Sequence, residues 1–205
     1  MEMPPPVSAP VPAQGDPFSG NHFVLKRQLL KLIGASFNIY DVHGVQILQA
    51  NQKGFKLKED IRLMGGPGLQ TELIGIFARK VMDFSASYDV MDLQTNQRIG
   101  VFRRKGWHSL ARDEWIVMDA NEVAIGTLIE DTLAMALLRR LLTNLIPQNY
   151  DLLVGEVRKV DLKQNFNPFS YHLGIEFFTP PQDFDRRMGL AGAVLLAAIE
   201  GRQAG

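Results

Sequence analysis

The sequence has no cysteine among its 205 residues. This absence excludes disulfide bonds, thiolate catalysis, cysteine-based zinc sites and S-palmitoylation. The sequence also lacks an excess of either charge, because 22 basic side chains balance 22 acidic ones, so the net charge gives no argument for a nucleic-acid partner. The amino-terminal residues have neither the basic nor the apolar region of a signal peptide. We therefore expect a cytoplasmic location.

Motifs of the common enzyme classes are also missing. The sequence has no Gly-x-Ser-x-Gly nucleophile elbow, no phosphate-binding P-loop and no Gly-x-Gly-x-x-Gly dinucleotide motif. The four histidines lack the spacing of metal ligands; they are His22, His43, His108 and His172. The sequence therefore predicts a protein that is not an enzyme and that holds no cofactor and no metal.

Residues 1–20 differ in composition from the rest of the chain. They are rich in proline, with alanine, glycine and serine and few large apolar side chains. Such a segment cannot bury enough surface to fold, so we predict a disordered or polyproline II-like tail. The tail is either a solubilising segment or a ligand for a proline-recognising groove on a protein partner. Residues 21–205 are predicted to form one folded domain.

Most of the predicted domain has the pattern of β-structure. Three segments repeat a strand, an aspartate, a turn with glycine or asparagine, and a second strand; they are residues 37–48, 88–102 and 115–128, with Asp41, Asp92 and Asp119 before the turns. An aspartate in this place accepts hydrogen bonds from backbone amides of the turn. Further strands are predicted in residues 23–33, 69–80, 152–160 and 171–178. So many strands favour a barrel or a sandwich.

Two segments have helical patterns. Residues 131–146 place leucines on one face, and Arg139 and Arg140 lie near the other. This amphipathic helix packs against its own domain or lies on a membrane or partner surface. Residues 188–199 carry no charge and are apolar on every face. A helix that spans a membrane needs about 20 apolar residues, and this run has twelve. An ordinary core helix is one interpretation, and a helix threaded through a closed barrel and a membrane anchor are the others.

Three segments, in their order along the chain, resemble the tubby C-terminal-like superfamily, which includes phospholipid scramblases and plant LURP-one-related proteins. Residues 29–44 are similar to the opening hairpin of the family. Residues 102–117 resemble a strand pair of LURP-one-related proteins, and residues 173–177 with 183–185 and the apolar run resemble the end of a scramblase. The resemblance covers residues from about 22 to 201.

This resemblance implies a mainly β fold, a closed antiparallel twelve-stranded barrel around a central hydrophobic C-terminal helix. It also implies association with membrane lipids. Scramblases have an acidic calcium segment before a Gly-Ile-x-Phe motif, whereas Ser170, Tyr171, His172 and Leu173 precede that motif here. We therefore expect calcium to make little difference, since a calcium site requires acidic ligands.

Clusters of basic residues are the remaining candidates for a binding site in the sequence. A cluster beside a tryptophan suits an anionic headgroup, with the ring at the membrane interface. The other interpretation is a solvated face paired with nearby acids. The candidate lipid-binding residues are Arg79, Lys80, Arg103, Arg104, Lys105, Trp107, Arg139 and Arg140. The sequence therefore predicts a protein that binds anionic phospholipid membranes peripherally, with a soluble protein-interaction scaffold as the alternative.

Overall fold

The computed structural model describes residues 15–28, 36–52, 60–79, 86–105, 114–130, 149–165 and 171–200. These residues form twelve β-strands, one short 3-10 turn and one α-helix. The strands are β1 His22–Gln28, β2 Ser36–Tyr40, β3 Gln46–Gln52, β4 Ile61–Gly65, β5 Thr71–Ala78, β6 Ser87–Asp92, β7 Gln97–Arg104, β8 Glu114–Met118, β9 Ala124–Glu130, β10 Asn149–Val154, β11 Val157–Asn165 and β12 His172–Phe177. The helix α1 is Arg186–Glu200.

The strands form a closed barrel in which every neighbouring pair is antiparallel. Each strand pairs with the next along the chain, and β1 closes the barrel by pairing with β12. In this closing pair Phe23 lies opposite Ile175 and Leu25 lies opposite Leu173. Closure pairs both edges of each of the twelve described strands, so none of these edges is open to another chain. The prediction of a closed antiparallel twelve-stranded barrel is therefore confirmed.

Alternation along the strands separates the core from the outer wall. In β4, Ile61 and Leu63 are buried, whereas Arg62 and Met64, which alternate with them, are partly exposed. Successive side chains of a strand point to opposite faces, so one set of apolar residues lines the interior. The same alternation runs through β12, where Leu173 and Ile175 are buried.

Helix α1 is buried along nearly all of its length. Residues 188–198 are buried, and the helix contacts β1, β5, β7 and β12. Its glycines allow close packing: a Cβ atom on Gly189 would lie 2.5 Å from the Phe177 ring, and one on Gly192 would lie 3.1 Å from Phe102. An apolar helix without a polar face requires such surroundings. Among the described residues, no helix has the length and apolar character needed to cross a membrane.

The aspartate turns have the hydrogen bonds that the sequence predicts. The Oδ1 atom of Asp41 accepts from the amides of His43 and Val45. The Oδ1 atom of Asp119 accepts from the equivalent amides of residues 121 and 123. Asp92 accepts from the amides of residues 94 and 95. All three aspartates therefore stabilise hairpin turns.

Two parts of the sequence interpretation need correction. Residues 152–160, predicted as one strand, contain the end of β10, a turn and the start of β11, because Gly155 adopts a φ of +59°. Strand β4 was not predicted at all. The amphipathic helix predicted at residues 131–146 lies outside the described residues.

The predicted tail also contacts the barrel at its carboxyl end. Phe18 is partly buried and packs against the hydrophobic core. Asp16 holds this segment in a turn, because its Oδ1 atom accepts from the amide of Phe18 at 3.0 Å. The folded part of the chain therefore begins before residue 21.

Candidate functional site

The strand order gives the barrel two ends with different connections. At one end, the turn end, hairpin connections of two to five residues join the strands; they are residues 41–45, 66–70, 93–96, 119–123 and 155–156. At the other end, the rim, six to eighteen residues join the strands; these connections are residues 29–35, 53–60, 79–86, 105–113, 131–148 and 166–171. Most of the rim connections lie outside the described residues, so only the strand ends beside them are located.

Charge and aromatic residues are divided unequally between these two sets of connections. The rim connections contain ten Lys or Arg and five Asp or Glu, whereas the turn-end connections contain four Asp or Glu and no Lys or Arg. Six aromatic residues belong to the rim connections and none to the turn-end connections. Among the connections between strands, the basic and aromatic residues therefore belong to the rim set, whereas Arg186 and Arg187, which follow β12, lie at the turn end.

All eight candidate lipid-binding residues belong to rim connections or to the strand end beside them. Arg103 and Arg104 end β7, and Lys105 follows them. Arg79 follows the end of β5. The other four candidates lie outside the described residues; they are Lys80, Trp107, Arg139 and Arg140. The topology therefore brings Arg79 to the same end of the barrel as Arg103, Arg104 and Lys105, although they are distant in sequence.

Two of the described candidate residues, Arg79 and Arg103, belong to an ionic network on the outer surface of the barrel. The guanidinium of Arg79 donates to Asp89 at 2.8 Å and to Glu122 at 2.9 Å. Arg98 donates to Glu122 at 2.8 Å, and Arg103 lies 3.7 Å from the same carboxylate. The pKa of Arg79 is raised, chiefly by its hydrogen bonds to Asp89 and Glu122. This ionic network therefore contains three cations and two anions; its members are Arg79, Arg98, Arg103, Asp89 and Glu122.

Glu122 reaches this network from an unusual backbone position. Its φ is +65°, and Gly44 occupies the equivalent place in the first hairpin with a φ of +74°. A residue other than glycine is strained in this region. The pKa of Glu122 is lowered to about 2, mainly by the hydrogen bonds that Arg79 donates to it. The ion pairs offset the strain and fasten the β8–β9 turn to the outer wall.

Arg104 and Lys105 have separate partners. Arg104 alternates with Arg103 along β7, and its guanidinium carbon lies 5.7 Å from the ring centroid of Trp115, which is buried. The Lys105 ammonium pairs with Glu114. Arg103 and Arg104 therefore point to opposite sides of the strand, and the three consecutive basic residues do not form one exposed face.

A second polar region lies at the turn end, where α1 begins. An open cleft of about 550 Å³ there is bordered by Asp92, Asp185, Arg186 and Arg187 among other residues. Arg187 pairs with Asp185 and with Asp92, the latter at 2.7 Å. The sequence analysis did not identify Arg186 and Arg187 as part of a site. Two adjacent arginines before an apolar helix were the available signal.

Comparison with known proteins adds no further assignment to this geometry. No protein-family model, no curated protein and no solved structure matches the chain. Within the described ranges, no group of three or more metal-ligating side chains is found. The class that the fold defines is a closed antiparallel β-barrel with a buried C-terminal helix.

Proposed function

We propose that this protein is a non-enzymatic, tubby-like barrel that binds anionic phospholipid membranes peripherally through its rim. The observation that carries this proposal is the unequal division of charge, with ten basic residues on the rim connections and none on the turn-end connections. Each basic residue near an anionic membrane contributes about 1 kcal/mol. Aromatic rings, which are enriched at membrane interfaces, occur in the same connections.

In this proposal α1 is the central helix of the barrel. The support is that strands from two sides of the barrel contact it: the neighbours β1 and β12 on one side, and β5 and β7 on the other. Its Gly and Ala residues keep it narrow enough for the interior. A helix in this place makes the barrel rigid, so the rim connections start from fixed strand ends. The resemblance to tubby-like proteins implies the same arrangement.

Sedimentation with lipid vesicles tests the proposal. The Arg139→Gln/Arg140→Gln variant removes two charges from a rim connection, and we expect its affinity for phosphatidylserine-containing vesicles to fall by about 2 kcal/mol, or roughly thirtyfold. The matched control, Arg158→Gln/Lys159→Gln, removes the same charge beside the turn end. It should bind nearly as well as the wild-type protein.

Salt and lipid composition provide further controls. Binding should weaken as salt rises from about 0.1 M to about 1 M, because the Debye length falls from about 10 Å to about 3 Å. Vesicles of phosphatidylcholine alone should bind weakly. Equal binding by the wild-type protein and both double variants would remove the rim charges from the explanation.

The alternative, a soluble interaction scaffold, is favoured by one specific observation. Arg79, Arg103 and Lys105 are paired with acidic side chains of the same chain, and Arg104 lies beside Trp115. Exposed ion pairs of this kind are common and need not serve a ligand. If the protein binds no vesicle of any headgroup at low salt, the scaffold replaces the membrane protein as the explanation.

A further inference from the structure

The turn end of the barrel carries all of the large apolar side chains that are exposed in the described part of the chain. Val42 and Val45 belong to the β2–β3 turn, and Val123 belongs to the β8–β9 turn. Val157 begins β11, and Phe178 directly follows β12. Single exposed apolar residues scattered over a surface are normal, whereas apolar residues gathered in one place mark an interaction surface.

These five side chains lie on consecutive hairpins around the barrel. The strand order runs from β3 and β2 through β1, β12, β11 and β10 to β9 and β8. Backbone hydrogen bonds join the neighbours, because the amide of Gly155 donates to the carbonyl of Ile125 at 3.0 Å and the amide of Phe178 donates to the carbonyl of Lys159 at 3.1 Å. The guanidinium carbon of Arg158 lies 4.6 Å from the Phe178 ring centroid. The five side chains therefore form one arc of the turn end, the apolar arc.

Unpaired carboxylates accompany the apolar arc. Six described carboxylates at the turn end, or on a strand end beside it, have no ion-pair partner among the described residues; they are Asp16, Asp41, Asp119, Glu156, Glu176 and Asp183. The described Lys and Arg side chains at that end that form no such ion pair are Lys159 and Arg186, and Arg186 is buried. Negative charge therefore exceeds positive charge on the described surface of the turn end.

The charge of this surface selects its partner. Contact between two turn ends would place carboxylates against carboxylates, and like charges across an interface are unfavourable. The rim has the opposite character, because its connections contain ten Lys or Arg, five Asp or Glu and six aromatic residues. Arginine and aromatic residues are also enriched in protein interfaces. The same molecule therefore has a basic, aromatic surface at one end and an acidic, apolar surface at the other.

We propose that copies of this protein associate head to tail, with the rim of one copy on the apolar arc and the nearby carboxylates of the next. Such a heterologous contact uses different surfaces on its two sides, so a dimer still has one free rim and one free turn end. Because these surfaces lie at opposite ends of the barrel, further copies add and the assembly grows. Anionic membranes compete for the rim if the proposed function holds, but the association itself does not require lipid binding.

Analytical ultracentrifugation of the full-length protein tests this inference. At low salt we expect the weight-average mass to rise as the protein concentration increases from about 10 μM to about 1 mM, and to pass the mass of a dimer. Salt raised from about 0.1 M to about 1 M should move this rise to higher concentration, because the Debye length falls from about 10 Å to about 3 Å. A mass that stays at the monomer value throughout would overturn the inference.

Two variants each alter one side of the contact. Glu156→Gln/Val157→Ser/Asp183→Asn, the turn-end variant, changes three exposed residues. Arg139→Gln/Arg140→Gln, the rim variant, removes two charges from a rim connection. Each variant alone should self-associate at least about fivefold more weakly than the wild-type protein, because two charge contacts are lost. The melting temperature of each variant is measured as a check of its fold.

A mixture of the two variants gives the sharpest result. The turn-end variant keeps an unaltered rim and the rim variant keeps an unaltered turn end, so each supplies the surface that the other lacks. We expect a one-to-one heterodimer that does not grow further, because its two outer ends are the altered ones. As a control, Asp60→Asn removes a carboxylate beside the rim, and this variant should associate at least as tightly as the wild-type protein.

Two further outcomes would overturn the inference: a turn-end variant that associates like the wild-type protein, or a mixture that contains no heterodimer. Vesicle sedimentation separates this inference from the proposed function, because the turn-end variant should bind phosphatidylserine vesicles as the wild-type protein does. Self-association without vesicle binding supports this inference and refutes the membrane proposal. Vesicle binding by a protein that stays monomeric does the reverse.

Discussion

The substitution Ala193→Asp tests the buried helix most severely. Ala193 lies near the middle of α1 and is 0% exposed. Gly192 and Val194 flank it in the helix, and the buried residues of the core around the helix are apolar. A carboxylate placed here finds no described charge partner, so the group remains protonated in the folded protein. Burial of this kind raises the pKa of an aspartate by up to about 3–5 units.

The size of the effect follows from the cost of protonation. The unfolded chain has an aspartate pKa of about 3.9, so keeping the group neutral at pH 7 costs about 4 kcal/mol, at 1.36 kcal/mol per unit. The added atoms cost roughly 1–3 kcal/mol more, because the core has no space for them. The sum is a large part of the roughly 5–15 kcal/mol that stabilises an ordinary domain.

The pH dependence identifies the charge as the cause. The folded pKa is raised, so the electrostatic penalty is absent below about pH 3.9 and grows as the pH rises toward the folded pKa. Ala193→Asn is the matched control, since it adds nearly the same volume without a titratable group. Denaturant unfolding should show similar stability of the two variants near pH 4 and a less stable Ala193→Asp at pH 7. Equal stability at both pH values would show that position 193 is not enclosed.

Three further predictions concern other parts of the barrel. Glu122→Gln should lower the melting temperature at pH 7 but not near pH 2. The pKa of Glu122 is lower in the folded protein than in the unfolded chain, so its carboxylate stabilises the fold above the unfolded pKa, and this effect is lost as the pH falls to about 2. Gly189→Ala should cost about 1–3 kcal/mol in unfolding experiments, whereas Gly174→Ala, whose Cβ would lie 3.6 Å from its nearest neighbour, should cost less. Phe18→Ala should lower stability by about 1 kcal/mol, whereas deletion of residues 1–14 should leave the melting temperature unchanged.

The hairpins could be predicted from the sequence because their signals are local. Asp41 and Asp119 each stand before a turn between two strands, and the hydrogen bonds to their carboxylates lie within four residues. The β10–β11 hairpin was missed because its connection has only two residues, Gly155 and Glu156, with a valine directly on either side. Strand β4 was missed although Ile61 and Leu63 show the alternation of a half-buried strand.

The candidate site was less predictable, because its contacts join distant parts of the chain. Arg79 finds Glu122, which is 43 residues away, and no local pattern indicates that pairing. The separation of Arg103 from Arg104 could have been predicted, since consecutive residues of a strand point to opposite sides. The burial of Arg186 could not be predicted either, because it donates to Asn21, which is 165 residues away.

The central claim, that the rim faces an anionic membrane, is tested most directly by the fluorescence of a single label. The chain has no cysteine, so Asn165→Cys at the rim end of β11 and Asn121→Cys in a turn at the opposite end each give one labelling site, and both positions are exposed. A polarity-sensitive dye is attached to each variant, and phosphatidylserine vesicles are added at low salt. If the rim faces the membrane, the emission of the label at position 165 shifts to the blue and that of the label at position 121 does not. A shift at position 121 alone, or no shift at either position, would contradict it.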